Sequence, residues 1–357
     1  MQTYIKFIIS TFLKSFFFVS IIIYCLVLVL NLLTEIEFFS DVEVTSYFPI
    51  YISILNSPSL VFEMFPFIFL VSTQVFFINL FKNQQIQTFK YSGLKNSKIL
   101  KILILTSFGV GIFLITGFYN LTSNLKNIYL ELKNTYTADD KYLAVITNNG
   151  LWIKDSNNNR TSIINAAKIE STFLINASIT EFDNNYEVVR HIESPKIDIS
   201  NNNWLILDAN TYKGNNKSKN NIIRFYSNFD YERIQNLFSN LSSLSLLELF
   251  NLRQNYKLLN LSTTEVNLQI NKIFSYPLYL SLMTILSTAI MFNTKRFNSN
   301  TLKISIGLFF SVIIYYINNF FSVMGKTEKL PISVSIWAPL LFLMIVSIIL
   351  TLRINEK

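Results

Sequence analysis

A chain of 357 residues that is 51% hydrophobic, only 15% charged and of mean hydropathy +0.37 has too much apolar surface for an ordinary water-soluble protein. Its net charge of +8 is spread among separate loops and is not gathered in a patch with stacking aromatics, which argues against nucleic acid as a partner. Cys25 and His191 are the only residues of their kinds, so no intrachain disulfide and no metal site built from His and Cys is available.

An Asp, Lys or Arg at the centre of a membrane helix costs about 2.5 to 3.5 kcal/mol, so long charge-free windows mark membrane spans. In chain order these are 15–34, 64–81, 102–125, 273–294, 304–325 and 330–352. Each meets the roughly 18-residue length needed to cross a hydrocarbon core of about 30 Å. The first lacks a small-residue cleavage pattern, which predicts a retained helix and not a secretory signal. Ahead of it, Tyr4, Ile5, Ile8, Ile9, Phe12 and Leu13 recur at helical spacing. They form either a short helix at the cytoplasmic interface or an early start of the first span.

The loops differ in sign. Segment 35–63 holds Glu35, Glu37, Asp41, Glu43 and Glu63 without a Lys or Arg, whereas 82–101 holds Lys82, Lys90, Lys95, Lys98 and Lys101 without an acid. Because cytoplasmic loops collect Lys and Arg, the first loop is expected outside and the second inside. Lys295, Arg296, Lys303, Arg353 and Lys357 extend the same assignment, which puts both termini in the cytoplasm and the long 136–272 segment outside. Lys326 and Lys329 fall on the outside against the trend, partly offset by Glu328.

In that long segment the period changes. Short runs rich in β-branched and aromatic residues at 142–146, 151–154, 162–164, 172–179, 186–192, 204–207 and 222–226 are separated by Asn, Asp and Gly clusters, which predicts an antiparallel β domain. Asn149-Gly150 has the composition of a two-residue hairpin turn. Helical patterning resumes at Leu244, Leu246, Leu247, Leu249, Phe250 and Leu252. A second helix over 263–274 then leads through Pro277 into the fourth span.

No catalytic constellation stands out, and no metal-ligand set. Gly325-Lys326-Thr327 resembles the end of a phosphate-binding loop, but Phe320 stands where that loop requires glycine, so ATP used by this protein is expected to be hydrolysed on another chain. Segment 82–100, with Ile86, Phe89 and Tyr91 among its lysines and a break at Gly93, predicts a short amphipathic helix able to dock a cytoplasmic partner or to fix orientation against anionic lipid. Asn31, Gln74, Asn318 and Asn319 are polar groups within spans, suited to a translocation path or to helix-to-helix hydrogen bonds. Pro66, Pro277 and Pro339 each free a backbone carbonyl inside a span.

Several runs, in order along nearly the whole chain, carry a family resemblance. They are Pro58-Ser59-Leu60 with Pro66, the stretch NQQIQTFKYSG at 83–93, GLWIKD at 150–155, the β run at 173–212, LSLLELFNLRQNYKLL at 244–259, Tyr276-Pro277-Leu278, and Leu330-Pro331 with Trp337-Ala338-Pro339. Together they resemble the LptF/LptG (YjgP/YjgQ) lipopolysaccharide-export permeases, with the Gly-Leu-Trp run on the LptG side. The resemblance implies an α+β membrane protein with six transmembrane helices in a 3+3 arrangement and an inserted periplasmic β-jellyroll. The segments expected are an N-terminal transmembrane half at 1–135, the jellyroll at 136–240, and connecting helices with the C-terminal half at 241–357.

It further implies a multi-pass inner-membrane protein of a Gram-negative bacterium, one half of a heterodimer with a sister permease. An LptB-type cytoplasmic ATPase dimer carrying ATP and Mg would dock beneath it, and LptC-type and LptA-type bridge proteins would continue from the periplasmic domain. This chain itself would bind no cofactor and catalyse nothing. ATPase coupling would fall to Gln85, Ile86, Phe89, Lys90 and Gly93. Lipopolysaccharide would enter between the first and fifth spans, against Tyr24, Leu28, Asn31, Phe310, Ile314, Ile317 and Phe321. Two departures qualify this. Gln85 and Lys90 stand where the family usually carries Glu and, five residues on, Arg. Asn31, Glu35 and Glu37 occupy the outer end of the first span, where Lys or Arg often meets lipid phosphates. A membrane sensor or scaffold with a periplasmic β domain, or an exporter of another lipid, are the alternative functions.

Overall fold

Among the described residues six helices are long and apolar enough to cross a membrane: α1 (Thr3–Phe38), α2 (Phe48–Lys82), the run Asn96–Lys133, α7 (Thr264–Asn293), α8 (Asn300–Lys326) and α9 (Ile332–Thr351). The third is built from α4 (Asn96–Phe113), a π-helical turn at Leu114–Tyr119 and α5 (Asn120–Asn134). The described residues also include two shorter α-helices, α3 (Gln85–Tyr91) and α6 (Leu246–Leu258). The computed structural model describes residues 3–40, 44–134, 136, 151–157, 160–170, 172–183, 187–214, 216–227, 229–231, 234, 240–258, 262–294 and 299–352. The expected strand at 142–146, the Asn149-Gly150 turn and the basic residues Lys295, Arg296, Arg353 and Lys357 lie outside them.

The charge-free windows sit inside helices that run beyond them. The N-terminal segment and the first span form one helix from Thr3 to Phe38, so the early-start reading holds. The connecting helix expected at 263–274 is likewise the first part of α7, continuous through Pro277.

The chain divides into two compact units, Met1–Lys126 with Thr264–Lys357, and Asn127–Thr263. In the helical unit α2 and α7 are central: 67% and 78% of their apolar windows are buried, against 22% for α1 and 17% for α8. Small and hydroxylated side chains let α7 sit there. Ser107 and Thr284 share a 2.8 Å hydrogen bond between the third and fourth spans, and Ser287 donates to the Leu70 carbonyl of α2 at 2.7 Å. Leu70, Leu282, Met283, Leu286, Ile290, Ile314, Leu340 and Leu343 close the apolar core around them.

The other unit holds one antiparallel sheet of consecutive strands, β1 (Leu151–Asn157), β2 (Arg160–Glu170), β3 (Phe173–Phe182), β4 (Val188–Asp198), β5 (Asn203–Lys213) and β6 (Asn216–Tyr226). In a flat sheet five spacings of about 4.8 Å would set the first and last strands about 24 Å apart. Instead Ser227, the residue after β6, donates a 2.8 Å hydrogen bond to buried Asp155 of β1, so the sheet curls round on itself. The expected jellyroll therefore takes the form, among the described residues, of a curled sheet of consecutive strands. The Trp204 indole on its inner face donates to the Phe229 carbonyl at 2.7 Å.

A row of positions crosses this sheet where no ladder pair forms. Ala167 and Asn176 stand between the paired Ala166–Ala177 and Lys168–Ile175, and Pro195, Asp208 and Asn221 continue the row on β4, β5 and β6. Asn176 and Asp208 both take φ of 49°, a left-handed conformation that Asn and Asp tolerate better than branched residues. Side-chain alternation slips by one at this row: Leu174 and Ile206 are buried before it, Ala177 and Ala209 after it. On β3 and β5 the apolar side chains therefore stay inward on both sides of the crease.

Candidate functional site

Two places combine exposure with specific geometry: the short helix between the second and third spans, and the uncovered faces of α1 and α8. The helix is bracketed by backbone signals. Gln84, at φ 54°, reverses the chain after α2, and Gly93, at φ 73°, ends α3. The Gly93 N–H donates to Lys90 O at 3.0 Å and the Leu94 N–H to Phe89 O at 2.9 Å, a paired C-terminal closure that glycine serves without strain.

On α3, Ile86 is buried and the Phe89 ring meets Phe7 of α1 edge-on, centroids 6.1 Å apart. Nearby the Lys98 ammonium lies 5.5 Å from the Tyr4 ring. The N-terminal turns of α1 thus brace α3 and the start of α4. Gln85 is half-buried, whereas Gln87, Thr88, Lys90 and Tyr91 face outward, Tyr91 being 89% exposed. Of the five coupling residues expected from sequence, Ile86 and Phe89 hold the helix in place, Gly93 shapes its end, and Lys90 is presented. The exposure of Tyr91 and the bracing by Phe7 were not legible from spacing alone.

The candidate cavity residues sort in a similar way. Tyr24 and Leu28 are half-buried, and Asn31 is buried between helices, donating to Ser53 O at 3.2 Å and accepting from Asn56 at 3.1 Å. On α8, Ile314 belongs to the apolar core and Phe310 packs against it, with Ile317 and Phe321 half-buried. The uncovered face of α8 lies around the helix from these, at Phe309, Val312, Tyr316, Phe320 and Val323. On α1 it lies at Phe18, Ile21, Ile22, Val29 and Leu33. These faces carry no charge and match lipid chains.

The polar residues inside the spans act mainly as joints between helices. Gln74 donates to Lys303 O at 2.8 Å, the Asn318 side chain lies beside the Tyr279 hydroxyl, and Asn319 is exposed. The carbonyl of Phe62, four residues before Pro66, would lack a donor, and the Tyr276 hydroxyl supplies one. Gly325, in the run resembling a phosphate loop, is a close-packing point, where a Cβ would meet the Ser335 hydroxyl at 2.6 Å.

The family model for the lipopolysaccharide export system permease LptF/LptG matches residues 6–353. The chain belongs to this family. No curated protein matches it. As an LptF/LptG permease it is a multi-pass membrane protein of lipopolysaccharide export, and the match covers both triplets of spans and the inserted sheet without separating the F branch from the G branch.

Proposed function

We propose that this LptF/LptG chain is one permease of a heterodimer that uses ATP hydrolysis on a cytoplasmic ATPase dimer to lift lipopolysaccharide out of the inner membrane. The observation that carries this reading is the uneven cover of the spans. The apolar windows of α1 and α8 are 22% and 17% buried while α2 and α7 are mostly enclosed, so the two bare helices need a second permease or lipid chains beside them. Lipid acyl chains would run between Phe18, Ile22 and Val29 of α1 and Tyr316 and Phe320 of α8.

The basic 82–101 segment, free of acids, supports a cytoplasmic place for α3, and the acidic 35–63 loop an external one for the opposite side. In that orientation Lys90 and Tyr91 are offered to the ATPase, and the β domain stands in the periplasm, where its curled apolar inner face passes acyl chains to bridge proteins. ATP and Mg act on the partner. The work of this chain is shape change transmitted from α3 through Phe89 and Phe7 to α1, with no covalent chemistry of its own. The Gly150-Leu151-Trp152 run favours the LptG side in this reading.

The test is recruitment from membranes by the tagged chain. The unaltered chain is expected to bring down an ATPase and a second permease. Gly93→Val forces a branched residue to a φ of 73° at a cost of about 1 to 3 kcal/mol, and Phe89→Ala removes the contact with Phe7. Both are expected to cut ATPase recovery by about tenfold, as a loss of about 1.4 kcal/mol implies, while the sister permease stays bound. Unchanged recovery of the ATPase by both variants contradicts the coupling role. Absence of both partners from the unaltered chain favours the sensor reading.

A further inference from the structure

Lys303 is a buried cation without a counter-ion among the described residues. It lies in the first turn of α8, is 6% exposed, and makes no ion pair there. Its ammonium stands 5.7 Å from the centre of the Phe81 ring, at the end of α2. Its backbone is fixed as well, because the Lys303 carbonyl accepts from the enclosed Gln74 amide at 2.8 Å.

Two positive features meet there, and a third lies next in sequence to Phe81. Side chains on a helix lean toward its N-terminus, so the Lys303 ammonium is directed back along the first turn of a 27-residue helix whose free N–H groups carry partial positive charge. Of those groups, Leu302 N–H is taken by the Ser299 hydroxyl at 3.3 Å. Lys82, exposed and next in sequence to Phe81, adds a further cation, and neither 82–101 nor 295–303 contains an Asp or Glu. A lysine in a first helical turn is disfavoured by the helix dipole, and burial without an anion disfavours it again.

We infer that Lys303, the first turn of α8 and Lys82 form a binding site for a phosphate monoanion, supplied by the headgroup of an anionic phospholipid whose chains lie along α8. The Phe81 ring is the floor beneath the Lys303 ammonium, the ammonium and first-turn N–H groups hold the phosphate oxygens, and the bare apolar flank of α8, from Phe309 onward, receives the acyl chains. In the orientation proposed above this is a cytoplasmic-leaflet lipid, distinct from the exported one. The site's chemistry does not depend on that orientation or on which lipid is exported.

The test is native mass spectrometry of the full chain in its complex, in micelles supplied with phosphatidylglycerol, with phosphatidylcholine, or with inorganic phosphate as competitor. Phosphatidylglycerol is expected to be retained at least tenfold more than phosphatidylcholine, with phosphate competing weakly. Lys303→Met keeps an unbranched side chain of similar length and removes the charge; it is expected to lower retention about tenfold or more, and Lys303→Arg to preserve it. Equal retention by Lys303→Met and the unaltered chain overturns the site. Efficient displacement by inorganic phosphate overturns the lipid as its source and leaves a free anion as the ligand. Loss of the exported glycolipid with phosphatidylglycerol retained counts against the transport reading alone.

Discussion

Gly111→Leu is expected to leave almost no folded, monodisperse protein. A Cβ at position 111 would lie 2.8 Å from the Pro277 Cα, 3.0 Å from its Cβ and 3.3 Å from a Leu280 methyl. The first of these is backbone, which cannot rotate away, so the third and fourth spans would have to separate along the seam that also carries the Ser107–Thr284 bond. Overpacking commonly costs about 1 to 3 kcal/mol, and an obstruction by backbone at a buried helix crossing lies at or above the top of that range. Gly109→Leu is the control, since nothing lies within 4 Å of its Cβ position and its effect is expected within about 0.5 kcal/mol. Fluorescence-detected size exclusion and thermal melting of the two variants decide the matter; equal behaviour would refute the close approach.

The second large effect is conditional on a second site. Tyr276→Phe is expected to destabilise the bundle by about 1 to 3 kcal/mol, because the Phe62 carbonyl would be left buried without a donor. Adding Pro66→Ala restores a backbone N–H four residues after Phe62, so the same Tyr276→Phe change is expected to cost far less in that background. The ring contributes equally in both, stacked on Phe62 at 4.8 Å, and cancels from the cycle. A Tyr276→Phe penalty that is the same in the presence and absence of the Pro66→Ala change would show that the hydroxyl does not serve the freed carbonyl.

These two sites mark how far the sequence can be read. Charge-free windows located all six spans, because the cost of an uncompensated charge in lipid is large and local. They understated the helix lengths: α1 begins at Thr3 and α7 at Thr264, since polar residues at the flanks end a hydropathy window without ending a helix. The strands were legible from alternation and turn residues. The crease was not, because left-handed φ at Asn176 and Asp208 is available to any Asn or Asp and chosen only by the bend of the whole sheet.

The phase of the spans was the least legible feature. In a water-soluble helix polarity separates the buried face from the exposed one, but on α8 Phe310 and Ile314 pack inward while Phe309 and Val312 stay bare, and all four are apolar. Helical spacing joins Phe310, Ile314, Ile317 and Phe321 on one side of the helix without saying which way that side turns. The freed carbonyl at Pro66 was readable from the proline alone, whereas its donor, far along the chain at Tyr276, was not. On α3, Gly93 announced the end of the helix, and Ile86 its buried side, but the outward position of Tyr91 required knowing that Phe7 occupies the flank beside Phe89.

The central claim is that this LptF/LptG chain handles lipopolysaccharide in partnership with a second permease. Native mass spectrometry of the complex released gently from its own membranes measures composition and bound lipid together. The expected result is one copy of this chain with one related permease and a retained glycolipid of lipopolysaccharide mass. Recovery of the chain alone or as a homodimer, holding phospholipid only, would contradict it.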